Sequence, residues 1–288
     1  MRILCCLNRD IASNLALNLL LPVLTQHETR VALSEQVGTI PRNEPRQRRE
    51  LRIAEQSLFN EVFFPLVETA HAAVSTGRLL TFSQIQTSKK IPVRAVHDPN
   101  CGAGLQRIRD FSPDVIVVIR YGAIFQRSVL EIPPLGVINL HSGILPRYRG
   151  VLATFRALAN KDSEVGCTLH YIVDPTIDTG DIISVSRMPV VAGHSLLRHV
   201  LGLYPSGTQL LVDALRALAS GDPLPHQMQP RDGGEYYSYP TQSEWDEFCG
   251  RGWRVADPSD LESTMGQYLP ARAEAEAWGA STELQSPW

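Results

Sequence analysis

The sequence predicts an α/β protein, with a doubly wound, mostly parallel, Rossmann-like sheet followed by a small C-terminal appendage. Two observations support this fold class. Several short apolar runs lack any alternation with polar residues, which is typical of strands that are covered on both faces. Up to about residue 160 these runs alternate with helical segments, which is the order expected for a parallel sheet.

The N-terminal part supplies the first strands and helices. RILCCL, which starts at Arg2, is predicted as a buried strand, and a helix is predicted from about Ile11 to near Pro22. Later segments are predicted as a strand at 29–36, a helical region at 42–74, short strands at 78–85 and 92–98, and a helix at 102–112. Arginines in the helical region could bind phosphate, although a solvated helix face is the commoner meaning of such a run: Arg46, Arg48, Arg49 and Arg52.

The central part contains the clearest buried strand, PDVIVVIRY at 113–121, and the next strand is predicted at 136–141. Two further strands at 167–174 and 181–190 flank a turn, and a helix at 195–221 is predicted to bend near Pro205. After residue 221 the chain is rich in proline and glycine, and its end is acidic. We therefore divide it into a catalytic domain, 1–192, and a C-terminal part, 193–288, which comprises a helix, a small appended segment and a loose tail.

Composition argues against several classes of protein. The 288 residues carry a net charge of -3, which is not the footprint of a protein that binds nucleic acid over its whole surface. The five cysteines form no C-x-x-C pair, so we expect neither a disulfide framework nor a zinc site, and a reducing cytoplasm fits. No apolar stretch is long enough for a membrane span.

The stretch INLHSGILPRYRG places Asn139 and His141 at the carboxyl edge of a predicted strand, where open α/β sheets bind ligands. An asparagine amide can donate to a developing oxyanion, and a histidine can move a proton. Asp178, in the turn of HYIVDPTIDTGD, could orient that histidine or a water. Without a serine or cysteine nucleophile, such a set suits direct acyl transfer to an amine or to water.

Other interpretations of these residues stay open. Asn139 and His141 could be a hydrogen-bonded pair at a strand end, and the DTGD segment could be only a turn. His170 is more readily explained as a packed or supporting histidine than as a base, and Cys167 as a core thiol than as a nucleophile. A metal site made of His141, His170 and Asp178 is a further alternative, and we expect no metal.

The stretch DVIVVIRYGAIFQRSVLEIPPLGVINLHSGILPRYRG, followed by GCTLHYIVDPTIDTGDII, resembles the N10-formyltetrahydrofolate-dependent formyltransferase family. That family includes methionyl-tRNA, glycinamide ribonucleotide and amino-sugar formyltransferases. The Asn-x-His, the L-P-x-Y-R-G and the D-T-G-D-I turn have the order and spacing of the family. The resemblance is strong over roughly residues 80 to 190.

The resemblance implies a catalytic trio of Asn139, His141 and Asp178. It also implies that the pterin end of a folate inserts between two loops, with contacts from Arg120, Tyr121, Gly122, Ala123, Ile124, Asp174, Thr176 and Ile177. For the acceptor, the resemblance offers Asn8, Arg9 and Tyr148 as candidates.

Two departures from the family narrow the acceptor. Asn8-Arg9-Asp10 stands where glycinamide ribonucleotide enzymes have a glycine-rich phosphate loop, and the acidic C-terminus differs from the basic domain of the tRNA enzymes. Ser142-Gly143 after the histidine is a tolerable change.

In the tyrosine-rich stretch 233–241, Tyr236, Tyr237 and Tyr239 could line an acceptor pocket, but a packing strand or hairpin is slightly favoured.

We therefore expect a cytoplasmic N-formyltransferase that moves the formyl group of 10-formyltetrahydrofolate to a primary amine or hydroxylamine. The expected acceptor is a small molecule such as an amino sugar, an ornithine-type amine or a natural-product intermediate. The alternatives are a formyltetrahydrofolate hydrolase, a methionyl-tRNA formyltransferase and a non-catalytic folate-binding protein. We expect no nucleic-acid or membrane partner, and a homodimer through the C-terminal region.

Overall fold

A seven-stranded sheet forms the centre of the molecule in the computed structural model, which describes residues 1–38, 40–70, 78–230 and 233–270. Its strands are β1 (Arg2–Asn8), β2 (Glu28–Ser34), β3 (Val93–Ala95), β4 (Val115–Ile119), β5 (Val137–His141), β7 (Glu164–Tyr171) and β8 (Ile182–Pro189). The spatial order is β3-β2-β1-β4-β5-β7-β8. The first five strands in this order run parallel, whereas β7 is antiparallel to both of its neighbours. The predicted fold class is confirmed.

A second, two-stranded sheet pairs β6 (Tyr148–Gly150) in parallel with β9 (Glu235–Tyr237). The helices are α1 (Ile11–Leu24), α2 (Arg46–Arg52), α3 (Phe64–Ala70), α4 (Phe82–Lys89), α5 (Gly102–Phe111), α6 (Arg127–Leu130), α7 (Ala153–Ala159), α8 (Leu196–Gly202), α9 (Tyr204–Ser220), α10 (Gln242–Gly250) and α11 (Pro258–Met265). A π-helical segment, Ile53–Phe63, joins α2 to α3.

The two faces of the central sheet pack into separate apolar clusters. Along β1, Ile3, Cys5 and Leu7 belong to the larger cluster, whereas Leu4 and Cys6 belong to the smaller one. Successive side chains of a strand point to opposite faces, so both faces of β1 are covered. This covering explains the uninterrupted apolar runs in the sequence.

The segment 78–85, predicted as a strand, is instead the start of α4. The Thr81 side chain accepts a hydrogen bond from the Gln84 backbone, and the Gln84 side chain accepts one from the Thr81 backbone. This reciprocal pair is a capping box, which stabilises the first turn of a helix. Phe82 and Ile85, three residues apart, are both buried. The apolar residues therefore follow a helical spacing.

Two predicted helix boundaries also differ slightly from the structure. α1 continues through Pro22 to Leu24, because a proline removes only one hydrogen bond of the helix and Thr25 still donates to the carbonyl of Leu21. The predicted helix at 195–221 is interrupted at Leu203, and Pro205 lies in the first turn of α9. The interruption lies two residues before Pro205, close to the position of the predicted bend.

The C-terminal segment packs against helices that precede residue 193. Trp245 of α10 is fully buried, and its ring centroid lies 4.4 Å from that of Phe155 in α7. Tyr268 is also buried, and its ring lies 5.2 Å from that of Phe64. The division at residue 192 stays a prediction, and the predicted loose tail lies outside the described residues, as do residues 71–74 of the predicted helical region. No helix among the described residues has the length and apolar character needed to cross a membrane.

Candidate active site

A cavity of about 480 Å³ opens at the carboxyl ends of β1, β4 and β5. The chain order reverses between β1 and β4, so this is the switch point of the sheet, where such folds bind ligands. The cavity is lined by the predicted trio and by every residue predicted to contact folate: Asn139, His141, Asp178, Arg120, Tyr121, Gly122, Ala123, Ile124, Asp174, Thr176 and Ile177.

β5 presents two polar side chains to the cavity. Asn139 and His141 are two residues apart, so they lie on the same face of the strand. Leu140, between them, points into the apolar cluster on the other face and is 1% exposed. Asn139 is half-buried and His141 is buried. The Asn-x-His spacing is therefore the one that a strand needs to place both side chains in one pocket.

The imidazole of His141 lies between two oxygen acceptors. Its Nε2 is 2.7 Å from the carbonyl oxygen of Tyr148, and its Nδ1 is 3.4 Å from Oδ2 of Asp178. A carbonyl oxygen only accepts hydrogen bonds, so Nε2 carries a proton. In the doubly protonated form, Nδ1 would also donate, to the Asp178 carboxylate.

Asp178 is held as a carboxylate by the surrounding donors. Its Oδ2 accepts a hydrogen bond of 2.8 Å from the Gly150 backbone. Burial by itself would raise the pKa of Asp178, but the charges of His141 and His170 and the hydrogen bonds to the carboxylate lower this pKa to about 2. The residue has a positive φ of 55°, a conformation that non-glycine residues adopt mainly where the surroundings impose it. Gln229 stabilises the turn by donating to the carbonyls of Asp178 and Gly180.

His170 completes the cluster from β7. It is 1% exposed and pairs directly with Asn139 across the antiparallel strands. Its Nδ1 is 2.8 Å from the carbonyl of Tyr171, and its Nε2 is 3.0 Å from Nδ2 of Asn139 and 3.3 Å from Oδ1 of Asp178. Both ring nitrogens of His170 therefore face groups of the protein. These contacts agree with a structural role for His170, which the sequence analysis favoured over the role of a base.

No group of three or more histidine, cysteine or acidic side chains suited to a metal is found among residues 1–38, 40–70, 78–230 and 233–270. Cys167 is fully buried on β7, and burial raises the pKa of its thiol to about 12. A thiol in this environment stays protonated and is a poor nucleophile. The position of Cys167 therefore agrees with a core thiol.

The loop 120–124 follows β4 and is fixed by a close backbone approach. A Cβ atom added to Gly122 would lie 1.8 Å from the carbonyl oxygen of Gln36, and the Gly122 amide donates to Oγ of Ser34 at 2.9 Å. Facing it in the cavity lining is the 174–178 loop, in which Oδ1 of Asp174 accepts from the Thr176 amide at 2.7 Å. Both predicted folate loops are thus brought to one cavity.

Arg120 does not direct a free guanidinium at the cavity. Its Nε donates to Oδ2 of Asp10 at 2.9 Å and its Nη2 donates to Oε2 of Glu55 at 2.8 Å. Its backbone has a positive φ of 56°. The side chain of Arg120 therefore ties the loop after β4 to the start of α1 and to the π-helical segment.

The three residues predicted to bind the acceptor are each held by contacts within the protein. Tyr148 is 1% exposed, and its hydroxyl donates to Oδ2 of Asp162, so it contributes to the site through its carbonyl oxygen alone. Arg9 lies outside the cavity lining, in an ion pair of 3.4 Å with Glu35. Asn8 reaches the cavity wall, but its side chain is bonded to Asp10 and Ser34.

Other residues reach the cavity from segments for which the sequence analysis favoured a structural role. They are Arg48, Arg52 and Glu55 from the helical region, and Tyr236 and Tyr239 from the tyrosine-rich stretch. The guanidinium of Arg48 lies 3.6 Å from the ring centroid of Tyr239. Arg52 is bonded to Glu44 at 2.8 Å. The tyrosine-rich stretch therefore contains a strand, β9, that pairs with β6, and it also supplies Tyr236 and Tyr239 to the cavity lining.

Part of this chain is similar to a known family. Residues 83–214 match the model of the family described as formyl transferase. The methionyl-tRNA formyltransferase of Kosmotoga olearia is 31% identical over 139 residues, which are 48% of this chain and 44% of the relative. The corresponding enzyme of Halorhodospira halophila is 34% identical over 170 residues, 58% of this chain and 54% of the relative. This chain spans about half the length of these curated relatives.

A solved structure supports the same fold. The X-ray structure of a sugar N-formyltransferase from Shewanella sp FDAARGOS_354 superposes with a TM-score of 0.53, covers 86% of both chains and is 15% identical. At this identity the likeness concerns the fold alone. The match to the family model begins at residue 83, so the residues lining the cavity from 8 to 56 lie outside it.

Proposed function

We propose that this protein is an N-formyltransferase that takes its formyl group from 10-formyltetrahydrofolate and transfers it to the amine of a small molecule. The observation that carries the proposal is the convergence of Asn139, His141 and Asp178 at the wall of one cavity. The same cavity holds both loops for which the family resemblance implies folate contacts. Similarity in sequence does not require these side chains to lie close together. Their convergence is therefore a separate observation in favour of the proposal.

The cavity fits a folate-sized group. Its volume of about 480 Å³ lies within the range of about 300–1,000 Å³ usual for small-molecule sites. Tyr121 and Ile124 supply apolar surface, and the 120–124 and 174–178 loops supply backbone groups. When bound, the donor would supply the formyl carbon that the amine attacks.

Asn139 is suited to stabilise the oxyanion of the tetrahedral intermediate. Its Nδ2 lies 3.0 Å from Nε2 of His170 and 3.4 Å from Oδ1 of Asp178. These two acceptors are 3.3 Å apart and lie on the same side of Nδ2, so in the proposed mechanism they share one amide hydrogen and the second donates to the oxyanion. A donor fixed in this way needs no reorganisation when the negative charge develops.

His141 and Asp178 act together in the proposed mechanism. Both nitrogens of His141 already face protein oxygens, so the ring contributes positive charge near the oxyanion rather than a free N–H group. The Asp178 carboxylate stabilises that charge. Because its pKa is about 2, Asp178 is a weak base. We assign it the orientation of a water that carries the amine's proton to N10 of the donor, as the bond between N10 and the formyl carbon breaks and tetrahydrofolate leaves.

A second function has support from the relatives. The curated relatives at 31% to 39% identity are named methionyl-tRNA formyltransferases, so a tRNA acceptor is kept as the alternative. The small-molecule acceptor is preferred on sequence grounds, because the C-terminal part is acidic whereas a nucleic-acid partner requires basic surface. The hydrolase alternative uses the same trio with water in place of the amine.

The test is release of tetrahydrofolate from 10-formyltetrahydrofolate by the purified protein. The assay is run without acceptor, with nucleotide-linked amino sugars, with ornithine and N5-hydroxyornithine, and with methionyl-tRNA. Release that requires a small amine supports the proposal and names the acceptor. Rapid release without acceptor would establish the hydrolase instead, and release only with methionyl-tRNA, weakened by salt, would establish the tRNA enzyme.

A further inference from the structure

Glu55 is a buried acid at the cavity wall that the formyl-transfer steps do not use. It lies in the π-helical segment and is 6% exposed. π-helical turns are rare and often occur at functional sites, because they move a side chain out of the regular helical position. The family model begins at residue 83, so Glu55 belongs to the part of the site that the family match does not describe.

One oxygen of the Glu55 carboxyl group is left without a partner. Oε2 accepts a hydrogen bond of 2.8 Å from Arg120, whereas Oε1 is buried and makes no hydrogen bond to any of the residues that the structure describes. An unsatisfied buried acceptor is costly, and native proteins seldom keep one without a reason. A ligand with an N–H or O–H donor would satisfy it.

The charge of Glu55 is not needed to neutralise Arg120. Asp10 already pairs with the guanidinium at 2.9 Å. Asp10 is also fixed by other bonds, since it caps α1 by accepting from Ser13 and it accepts from Asn8. Two carboxyl groups therefore share one guanidinium, and one negative charge is in excess when both of them are ionised.

The electrostatic environment of Glu55 favours a cation close to its carboxyl group. Burial is the largest cause that raises the pKa of Glu55, and the charge of Asp10 raises it further, while Arg120 opposes both. A cation that approached Oε1 would stabilise the ionised carboxylate. The pterin ring of a folate also carries N–H groups, but the loops implied for its binding are 120–124 and 174–178, whereas Glu55 lies in the π-helical segment. An amine acceptor brings an ammonium group.

We propose that Glu55 is an acceptor-binding residue, whose unpartnered Oε1 accepts a hydrogen bond from an ammonium or hydroxylamine group of the acceptor. This inference rests on the proposed function and narrows its substrate class to acceptors that enter with a cationic or strongly donating nitrogen. Glu55 shares its wall of the cavity with Leu51, Arg52 and Gln56, none of which belongs to the predicted folate loops. Glu55 therefore selects the acceptor and leaves the binding of the donor to the loops 120–124 and 174–178.

The test compares Glu55→Gln with Glu61→Gln in the full-length protein. Glu61 lies in the same π-helical segment but is exposed and outside the cavity lining, so it is the matched control. Tetrahydrofolate release is measured with ornithine, N5-hydroxyornithine, nucleotide-linked amino sugars and hydroxylamine, and the variants are compared on the acceptor with the highest kcat/KM. Folinic acid binding, followed by calorimetry, reports the folate site and the folded state.

Glu55→Gln is expected to raise the acceptor KM by about tenfold or more, the effect of losing a hydrogen bond to a charged group. Its Kd for folinic acid should stay within about twofold of the wild-type value, and Glu61→Gln should behave as the wild type in both assays. An unchanged acceptor KM in Glu55→Gln overturns the inference, as does an equal loss of donor and acceptor binding. A wild-type protein that binds no folinic acid, or that uses none of the amines, overturns the proposed function itself and this inference with it.

Discussion

At the residue scale, the proposed function rests on a small number of side chains at the cavity wall. In the proposed mechanism, Asn139 donates an amide hydrogen to the oxyanion, and His141 supplies charge through a ring whose two nitrogens face protein oxygens. His170, from the neighbouring strand, fixes both Asn139 and Asp178. The catalytic arrangement is therefore a connected network, in which each member orients the next.

Asn139→Ala removes the proposed oxyanion donor. We expect turnover to fall by about two or more orders of magnitude, because a single donor of this kind has that effect in other enzymes. The side chain is half-buried, so folding should change little. Tetrahydrofolate release and thermal unfolding are the two measurements. A variant that kept turnover near the wild-type value would show that the trio is misassigned.

Asp178→Asn tests the electrostatics of the site through the pH dependence of stability. Since the pKa of Asp178 is lowered from 3.8 to about 2, the ionised group stabilises the folded state above about pH 4 and loses this effect as the pH falls toward 2. The difference between the wild type and the variant should be about 2 kcal/mol at pH 6. It should shrink toward pH 2.

Urea unfolding at several pH values checks this expectation. Turnover of Asp178→Asn should also fall by about two or more orders of magnitude, as after the loss of a proton-transfer group. A stability difference that stays constant from pH 6 to pH 2 would mean that Asp178 is not the paired carboxylate that its contacts to His141 and Gly150 indicate.

At the scale of elements, the site is made by the ends of strands and by the loops that leave them. β5 provides Asn139 and His141, β7 provides His170, and the loop after β4 folds back over Gln36. The antiparallel pairing of β5 with β7 is needed for this arrangement, because it sets His170 opposite Asn139. The sequence placed these elements correctly without revealing their pairing.

Gly122→Ala tests the loop after β4. The added Cβ would lie 1.8 Å from a backbone oxygen, which cannot move without displacing the loop. We expect the Kd for folinic acid to rise by at least about tenfold, since packed backbone does not yield to an extra methyl group without a shift. Gly250→Ala is the control, because no atom lies within 4 Å of its added Cβ. Equal Kd values for the two variants would rule out the proposed role of this loop.

At the scale of the whole molecule, the C-terminal segment is packed onto the catalytic region. Trp245 contacts Phe155, whose helix follows the cavity-lining residues Val151 and Leu152. Tyr268 reaches back to α1, where its hydroxyl lies 2.5 Å from the side-chain amide group of Asn14. These contacts suggest that the described part of the C-terminal region unfolds together with the sheet.

Trp245→Ala should destabilise the protein by about 3–5 kcal/mol, the usual effect of removing a large buried aromatic side chain. Urea unfolding followed by circular dichroism should give one transition, shifted to lower urea concentration. Leu66→Ala, at a position 62% exposed, should shift it little. Two separate transitions, with only one affected, would instead support an independent C-terminal unit that begins near residue 193.

Much of the fold could be predicted from the sequence, because strands that are buried on both faces appear as uninterrupted apolar runs. The runs at β1, β4 and β5 predicted these strands nearly to their ends. The segment 78–85 was misassigned because a short apolar run does not distinguish a strand from the first turn of a helix, and the Thr81–Gln84 capping box decides it.

The sequence by itself determined the fold class, because uninterrupted apolar runs mark strands that are covered on both faces. Its short motifs nominated the trio, and the family resemblance nominated the two candidate folate loops. Only the tertiary structure decided that Tyr148 serves through its carbonyl, that Arg120 is held between Asp10 and Glu55, and that Glu55 reaches the cavity. The physical reason is distance along the chain. Arg120 and Glu55 are 65 residues apart, and only the folding of the π-helical segment over the sheet edge brings their charges together.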